Sequence, residues 1–444
     1  MKPHLPIAIL TTLLSLTSIT SVLAADIPAD YEQVDLWTPG YLDDYTASDA
    51  AAKCAFILWS DTVFTPQTNT TWTDSQALVT GREHIFTTAE GYDPAALSFT
   101  GGASKVFQQV SCLTFDTLSK LNISAQSETS HGGSINLETS GNLTIQHIDD
   151  GQQDTADLVF NNNKISASTS QHGGAIYANG ADTEINISHN GGVQFSENSV
   201  ANTSSSYSYG GAIYSTGNIS IHYNTGIVQF TGNRVTSVRS TASGGGIYST
   251  KSITINNNAE DINFTDNYAS TQNSTTSGGA IYSSGNLTVC DNEKNVIFSG
   301  NHASSNETDS TYAYGGAIYS TNGINISNNG GNVCFEQNYA YSAKSESYTT
   351  SSGAYYPPIY YPTTTTHYYT SDAKGGAIYS TGSVIINNND GHVTFRNNST
   401  EASAASSDYH HAEGGAIYST GSISIAGNSV VTFEKNYEKQ GGAY

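Results

Sequence analysis

The chain has 444 residues, only 12% of which are charged, and 15 Lys and Arg residues against 38 Asp and Glu residues leave a formal net charge of −23. An acidic surface repels phosphate backbones and anionic lipid headgroups, which argues against nucleic acid or a bare anionic membrane as a partner. The abundant glycine, serine, threonine and asparagine are typical of disorder, but the apolar residues recur with a fixed period, which a disordered chain does not need. We therefore expect an extended fold with a thin core.

Residues 1–24 have the layout of a secretory signal peptide. A basic start at Lys2 precedes an apolar stretch from Ile7 to Leu16, and small residues lead to an expected cleavage after Ala24. No later stretch approaches the roughly 18 to 20 apolar residues that a membrane-spanning helix requires. The pattern predicts an exported protein.

Residues 25–120 differ from the rest of the chain, because all three tryptophans lie here. A solenoid needs its first coil covered, so this region is predicted to be an N-terminal cap with degenerate coils. Cys54 and Cys112 could form a disulfide in the cap, whereas Cys290 and Cys334 fall at different phases of neighbouring repeats and are expected to stay apart. Because no CxxC or paired Cys/His spacing occurs, we expect no zinc site, and no motif predicts a cofactor.

Residues 121–444 contain eight copies of two alternating motifs, GGAI and FxxN. The distance from the first glycine to the phenylalanine is 20 residues in five consecutive copies, from Gly210 and Phe230 to Gly375 and Phe395. Such a period indicates a repeat architecture. After a first copy at Phe160, the FxxN pairs that we expect to be structural are Phe195 and Asn198, Phe230 and Asn233, Phe264 and Asn267, Phe298 and Asn301, Phe335 and Asn338, Phe395 and Asn398, and Phe433 and Asn436.

Three short apolar runs lie between the two motifs of one copy, for example at Ala175–Tyr177, Ile185–Ile187 and Val193–Phe195. Their alternation predicts three strands that close one coil. We therefore expect an all-β fold, a right-handed parallel β-helix solenoid with about one three-strand coil per 34-residue repeat. The segment from FxxN to the next glycine pair lacks alternation and is predicted to be a loop outside the coil. The glycines permit a positive φ at a corner, and the asparagines are expected to bond the coils above and below.

A tyrosine follows the isoleucine of the GGAI motif in seven copies. Because it alternates with an inward isoleucine, it is predicted to face outward in an aromatic ladder. Such a ladder either stiffens the sheet or offers a binding surface, and we favour the first interpretation. These tyrosines are Tyr177, Tyr214, Tyr248, Tyr282, Tyr319, Tyr379 and Tyr418.

A Tyr/Pro-rich insertion at 339–374 interrupts the period with nine tyrosines and three prolines. Insertions in solenoids project from one face and often bind a partner, so we expect a binding loop here. A solvated loop without a ligand is the alternative. The candidate binding residues are Tyr355, Tyr356, Tyr360, Tyr361, Tyr368 and Tyr369.

The alternating GGA[I/L/V] and FxxN motifs behind a signal peptide resemble the polymorphic membrane proteins of chlamydiae over residues 132–444. The resemblance implies a β-helical autotransporter passenger that attaches to a host-cell or matrix surface protein or glycan, and that a C-terminal β-barrel holds in the outer membrane. It therefore predicts an exported adhesin or passenger at the outer membrane, on the cell surface or secreted, without catalysis. Gly441–Tyr444 opens a ninth unit and no barrel sequence follows, so we expect the chain to continue beyond this point.

The main alternative is a polysaccharide lyase or hydrolase, because parallel β-helices also carry such enzymes. These need clustered carboxylates on neighbouring coils, often with calcium or a basic residue. Four aspartates fall in one insertion, which favours solvated side chains: Asp149, Asp150, Asp154 and Asp157. Four residues near the C-terminus offer metal-binding groups, but in a loop a chance grouping is favoured: Asp408, His410, His411 and Glu413. A structural surface-coat protein is the other alternative.

Overall fold

The structure is a computed structural model, and it describes residue 27 and residues 32–36, 53–59, 62–64, 72–73, 83–102, 106–110, 112–138, 141–152, 156–180, 182–306, 311–343, 349–356, 359–366, 370–404 and 409–442. Every regular element in these ranges is a β-strand. The strands stack in parallel, with a single antiparallel pair in the insertion. The predicted all-β solenoid is confirmed. The proposed signal peptide lies outside the described residues.

Two sheets of the main coil run along most of the molecule. The first, which we call the long sheet, contains Glu32–Leu36, Lys53–Leu58, Glu83–Thr88, Cys112–Leu118, Leu143–Ile148, Glu184–Ser188, Asn218–His222, Ile253–Asn256, Asn286–Cys290, Gly323–Ser327, Ser383–Asn387 and Ile423–Ala426. The second, the IYS sheet, contains Trp72–Thr73, Phe107–Val110, Ile135–Glu138, Ile176–Asn179, Ile213–Ser215, Ile247–Ser249, Ile281–Ser283, Ile318–Ser320, Ile378–Ser380 and Ile417–Ser419.

The third sheet of the main coil, the Phe sheet, carries the FxxN phenylalanines. It contains Thr62–Phe64, Ala96–Gly102, Lys120–Glu128, Ala156–Asn161, Gly192–Ser196, Val228–Thr231, Ile262–Thr265, Val296–Ser299, Val333–Glu336, His392–Arg396 and Val430–Glu434. Phe195 pairs with Phe230 and Phe230 with Phe264, so each repeat advances the chain by one coil, as predicted.

The segment between FxxN and the next glycine pair is not a loop outside the coil, and that prediction is wrong. It forms two further short sheets, which we call the side lobe. The first contains Lys164–Ala167, Ser199–Asn202, Arg234–Ser237, Tyr268–Thr271, His302–Asn306, Tyr339–Ala343, Ser399–Ala404 and Tyr437–Gly442. The second contains Gln171–His172, Ser208–Tyr209, Ala242–Ser243, Thr275–Ser277, Thr311–Tyr314, Thr370–Lys374 and Tyr409–Glu413.

The side lobe has a small apolar core of its own, which explains why it folds against the coil. Val200, Val235 and Ala269 of its first sheet pack with Ala242 of its second, and all four are fully buried. The sequence signal is weak because a single apolar residue per strand faces this narrow core.

The main core is a set of stacked apolar columns. Ile176, Ile185, Ile187, Val193 and Phe195 face inward, each at most 1% exposed. Consecutive phenylalanine rings of the FxxN motifs, from Phe160 to Phe433, lie 4.8 to 5.0 Å apart and within 7° of parallel. The spacing matches the distance between hydrogen-bonded strands.

The FxxN asparagine closes one corner of each coil. The Nδ2 of Asn233 donates to the carbonyl oxygen of Phe195 at 2.9 Å and to Oδ1 of Asn267 at 3.0 Å, and its backbone N–H donates to the same Oδ1 at 3.2 Å. The residue before each such asparagine is left-handed, with φ between 52° and 63°. The ladder runs through Asn163, Asn198, Asn233, Asn267, Asn301, Asn338, Asn398 and Asn436.

A second asparagine ladder, which the motifs did not predict, closes the corner between the long sheet and the Phe sheet. Asn224, for example, donates from Nδ2 to the carbonyl oxygen of Ile187 at 3.3 Å and to Oδ1 of Asn258 at 2.9 Å. The available signal was an asparagine five or six residues before each phenylalanine. Its members are Asn190, Asn224, Asn258, Asn292, Asn329, Asn389 and Asn428.

The two motifs meet at the neck between the main coil and the side lobe. The chain leaves the coil after Asn267 and returns at the glycine pair. Gly244 has a φ of 67°, and a Cβ on Gly245 would overlap the carbonyl oxygen of Gly279 and lie 2.6 Å from the backbone nitrogen of Tyr268. The glycines are therefore required both for the left-handed turn and for the close backbone approach.

Strands between residues 32 and 118 extend the long sheet at its N-terminal end. Cys54 pairs with His84, and Glu83 with Cys112, so the two cysteines lie two coils apart at different register positions. Cys112 is a free thiol, and the predicted disulfide is wrong because the two Cα atoms are separated by about two strand spacings of 4.8 Å. Cys290 and Cys334 lie apart on different sheets, as expected, and both are free.

Candidate functional site

The tyrosines of the IYS sheet form a ladder between the two lobes. Tyr177, Tyr214 and Tyr248 stack with ring centroids 5.2 and 5.3 Å apart, yet they are only 7 to 9% exposed. The side lobe covers them, with His172 4.6 Å from Tyr214 and Tyr209 4.5 Å from Tyr248. The stacked ladder, which is the favoured interpretation, exists as predicted. The side lobe covers these three rings, so the alternative of an open binding surface does not hold for them.

Later coils cover the ladder less completely. Ser243 and Ser277 stand where His172 and Tyr209 stand in earlier coils, and Tyr282 is half-buried. Burial raises the pKa of Tyr214 above its ordinary value, so its hydroxyl remains protonated at neutral pH. The ladder therefore joins the lobes as a structural layer rather than as an exposed contact stripe.

The insertion forms an antiparallel hairpin of Thr349–Tyr356 and Ile359–Thr366. At the end of the hairpin next to its turn, Tyr355 pairs with Tyr360, Tyr356 with Ile359, and Ala354 with Tyr361. The backbone thus brings four of the six candidate tyrosines together at one end of a two-stranded sheet. Tyr368 and Tyr369 lie outside the described residues.

The insertion is shorter than the predicted 339–374. Tyr339–Ala343 and Thr370–Lys374 belong to the two side-lobe sheets, because they pair with the strands of the neighbouring coils. The extra segment therefore begins and ends at the tip of the side lobe. The phenylalanine stack does not change at this point, since Phe335 and Phe395 are 4.9 Å apart.

Ion pairs fix the strand that follows the hairpin. Nζ of Lys374 lies 3.3 Å from Oδ2 of Asp372 and 3.2 Å from Oε2 of Glu413, and 5.0 Å from the ring centre of Tyr418. The hydroxyl of Tyr314 donates to Oδ2 of Asp372 at 3.2 Å. Burial raises the pKa of Asp372, and the neighbouring Lys374 opposes this shift. The strand that follows the hairpin, Thr370–Lys374, is therefore held to both neighbouring coils by side-chain contacts.

Comparison with protein families gives four matches to the Chlamydia polymorphic membrane protein repeat, at residues 157–179, 261–284, 295–321 and 392–420. Each match begins three residues before an FxxN phenylalanine and ends three residues after the isoleucine of a GGAI motif. The matched unit is thus the side lobe with the two strands that border its neck. This chain carries the repeats of the Chlamydia polymorphic membrane protein family. That family is associated with the outer membrane surface.

Searches of curated proteins and of solved structures found no match. No helix in the described ranges is long and apolar enough to cross a membrane.

The fold also brings three of the candidate aspartates together. Carboxylate oxygens of Asp149, Asp150 and Asp157 lie within 4.8 Å of one another. Backbone N–H groups donate to them, from Gly151 to Asp149 at 2.7 Å and from Gly192 to Asp157 at 3.3 Å. Asp154 lies outside the described residues. The trio therefore combines two exposed turn aspartates, Asp149 and Asp150, with a buried strand aspartate, Asp157, at one corner of the coil.

The described members of the second acidic and histidine cluster do not converge. His410, His411 and Glu413 lie on the strand Tyr409–Glu413, where neighbouring residues alternate between the two faces. His411 and Glu413 share a face, and Glu413 is paired with Lys374. Asp408 lies outside the described residues.

A shallow groove crosses three coils on the outer face of the long sheet. Amides, hydroxyls and one exposed isoleucine line it, with Asn286, Thr288, Asn325, Ile385 and Asn387 among its residues. It has no charged or aromatic lining residue, so it offers neither a general acid nor a general base.

Proposed function

We propose that this chain is the passenger of a surface-exposed attachment protein, without catalysis, and that the hairpin at the side-lobe tip is its contact site. The family association with the outer membrane surface supports the location. The observation that carries the contact site is the hairpin itself, a two-stranded sheet separate from the sheets of the coil. Its backbone pairing places Tyr355, Tyr356, Tyr360 and Tyr361 at one end, while the coils on either side of the insertion keep their spacing.

The hairpin differs chemically from the rest of the molecule. Residues 349–366 contain no charged side chain, whereas the whole chain carries a net charge of −23. An uncharged, tyrosine-rich tip avoids the repulsion that the remaining surface exerts on acidic cell surfaces. Tyrosine also gives a large contact area at a low entropic cost and adapts its hydroxyl to varied partners. The partner that fits this chemistry is a host-cell or matrix surface protein or glycan.

The proposal of attachment without catalysis draws on the groove and on the acidic trio among the described residues. The groove offers no acid or base, and the trio sits at one corner of a single coil rather than along a strand face. A lyase or hydrolase would require paired carboxylates, or a carboxylate with a base, around one bound sugar.

The test replaces the hairpin without disturbing the coil. In the preceding coil the four residues 307–310 connect the two equivalent side-lobe strands, because Asn306 pairs with Ala343 and Thr311 with Ser371. Replacing residues 344–370 by the sequence of 307–310 should leave the β-sheet circular dichroism and the melting temperature nearly unchanged, since longer loops cost little. Attachment of the purified protein to host cells or matrix should fall at least tenfold.

The matched control changes Tyr355, Tyr356, Tyr360 and Tyr361 to serine and keeps the insertion at its full length. We expect the same loss of attachment as in the replacement. Full attachment by a folded replacement protein would show that the contact lies elsewhere, and loss of the fold would show that the hairpin is structural.

A further inference from the structure

Three histidines from three successive coils meet at the corner between the long sheet and the Phe sheet. The ring centroids of His147 and His189 are 5.4 Å apart, and those of His189 and His222 are 6.1 Å apart. They are 42 and 33 residues apart in sequence, so no local spacing could indicate the group. Stacking brings them together, because Gln146 pairs with Ser188 and Ser188 with His222.

The distances suit two imidazoles that share one metal ion. A zinc ion binds imidazole nitrogen at about 2.0 to 2.1 Å, which at a tetrahedral angle places two ring centres roughly 5 to 6 Å apart. His189 lies between the other two histidines and is exposed, so its ring can rotate towards either neighbour. The ring of Tyr223 stacks on the ring of His189, with centroids 5.2 Å apart, and limits the rotation of His189 on the side of Tyr223.

On His147 and on His222, one ring nitrogen forms a hydrogen bond and the other is left to bind a metal ion. Nδ1 of His147 lies 2.8 Å from Oδ1 of Asp116, so its Nε2 is available to a metal. Nε2 of His222 lies 2.8 Å from Oδ1 of Asn186, so its Nδ1 is available. A carboxylate behind a histidine is a common support for a metal-binding imidazole, because it orients the ring and raises its basicity. Asp116 is itself held by the side-chain amide of Gln146 at 2.9 Å.

We propose that His189, together with His147 or His222, binds a divalent transition metal ion of the zinc, nickel or copper class. Imidazole is a preferred ligand of these ions, whereas calcium and magnesium take oxygen ligands. The ion would bridge neighbouring coils at this corner, where the side chains stand outside the hydrogen-bonded ladder.

The test uses the full chain without an affinity tag and titrates it with Zn²⁺ by calorimetry. The structure provides its own substitution: His189 has a φ of 57°, and asparagine occupies the equivalent position at Asn257, Asn328 and Asn388 with φ of 54° to 56°. His189→Asn therefore removes the imidazole and keeps the turn. We expect one zinc site in the native chain, and at least a tenfold weaker affinity in His189→Asn.

His147→Asn and His222→Gln should each weaken binding by less than His189→Asn, because His189 keeps one partner in each variant. The matched control is His392→Asn, an exposed histidine on the Phe sheet, which should bind as the native chain does. Bound Co²⁺ gives a second readout, since the visible absorption band of nitrogen-ligated Co²⁺ should disappear in His189→Asn. No binding in the native chain, unchanged binding in His189→Asn, or a site that is lost in Asp149→Asn instead would overturn the proposal.

Discussion

At the scale of single residues, the buried side-chain amides of the FxxN motifs link neighbouring coils, as backbone hydrogen bonds do within the sheets. Asn267 receives the Nδ2 and the backbone N–H of Asn233 on its Oδ1, and gives its own Nδ2 to the carbonyl oxygen of Phe230. At this corner the backbone N–H groups of Asp266 and Tyr268 still bond backbone oxygens of neighbouring coils, but the N–H of Asn267 does not. The side-chain Oδ1 of Asn301 accepts it instead, so the ladder leaves no backbone donor unpaired there. The six asparagines of this ladder from Asn198 to Asn398 are fully buried, and each lies between two other members.

Asn267→Ala should destabilise the protein by about 3 to 5 kcal/mol, because it leaves the buried groups of Asn233 and Phe230 without partners, each at a cost of roughly 1 to 3 kcal/mol. The measurement is urea unfolding followed by circular dichroism. Asn263→Ala is the control, since Asn263 lies on the outer face of the Phe sheet and should lose under about 0.5 kcal/mol. Equal losses would mean that the ladder does not hold the corner.

A buried histidine makes stability depend on pH. Burial lowers the pKa of His172 to about 3, helped by the nearby His131, and Nδ1 of His172 has no hydrogen-bond partner among the described residues. Because this pKa is lower in the folded than in the unfolded state, stability is complete above pH of about 6.5 and falls as the pH drops towards about 3. The contribution lost by pH 4 is about 3 kcal/mol.

His172→Tyr should remove this acid sensitivity, since tyrosine occupies the same position at Tyr209 and Tyr314 and stacks on the IYS sheet there. The comparison of the unfolding free energy of both proteins at pH 7 and pH 4 isolates the histidine from the carboxylates common to both. The same pH dependence in the variant would contradict the assignment.

At the scale of elements, the neck decides where each coil begins and ends. Gly244, Gly245 and Gly246 are consecutive in one repeat, and the space that each leaves for a side chain differs. The third corresponds to an alanine in six other copies and to Ser134 in the first, and a Cβ on it would lie no closer than 3.0 Å to the carbonyl oxygen of Ala280. The second faces backbone from two directions.

Gly246→Ala should be neutral or stabilise the protein by about 0.5 to 1 kcal/mol, because alanine restricts the unfolded chain and fits this conformation. Gly245→Ala should destabilise by several kcal/mol, because the neck must open for the extra methyl group. Thermal melting of the two variants checks the pair, and similar melting temperatures would contradict the neck geometry.

The main coil could be predicted from the sequence because two inward residues per strand give a clear alternation, as at Ile185 and Ile187. The side lobe could not, since one inward residue per strand, such as Val200, gives no period. The exposure of Tyr248 was predicted wrongly for the same reason, because its cover is Tyr209 of the side lobe. The grouping of His147, His189 and His222 depends on coil register, which no local motif reveals.

At the scale of the whole molecule, one repeat is a removable unit. Ser243 pairs with Ser277, so joining Ser243 to Gly278 recreates the junction that already exists between Ser277 and Gly278. Each repeat contacts mainly its neighbours, as in other solenoids, so the two new faces are equivalent to those that were lost.

Deleting residues 244–277 should therefore give a folded protein with a native-like circular dichroism spectrum and a rod shorter by about 4.8 Å in small-angle scattering. Deleting residues 244–260 removes half a coil and should abolish cooperative unfolding, because inward and outward positions no longer match. Cooperative unfolding after the shorter deletion, or loss of cooperative unfolding after the longer one, would contradict the conclusion that one repeat is the removable unit.

Peptides carried at the tip of the side lobe would be held at fixed intervals along the molecule. Chain length there varies from one coil to the next, while the rings of Phe335 and Phe395, 60 residues apart, keep a separation of 4.9 Å. Foreign peptides inserted at the tips of different coils would stand in one row, at multiples of about 4.8 Å. Choosing which coils carry the peptides would match the distance between the peptides to the distance between the binding sites of a multivalent receptor. The avidity of that receptor would then depend on the peptide spacing.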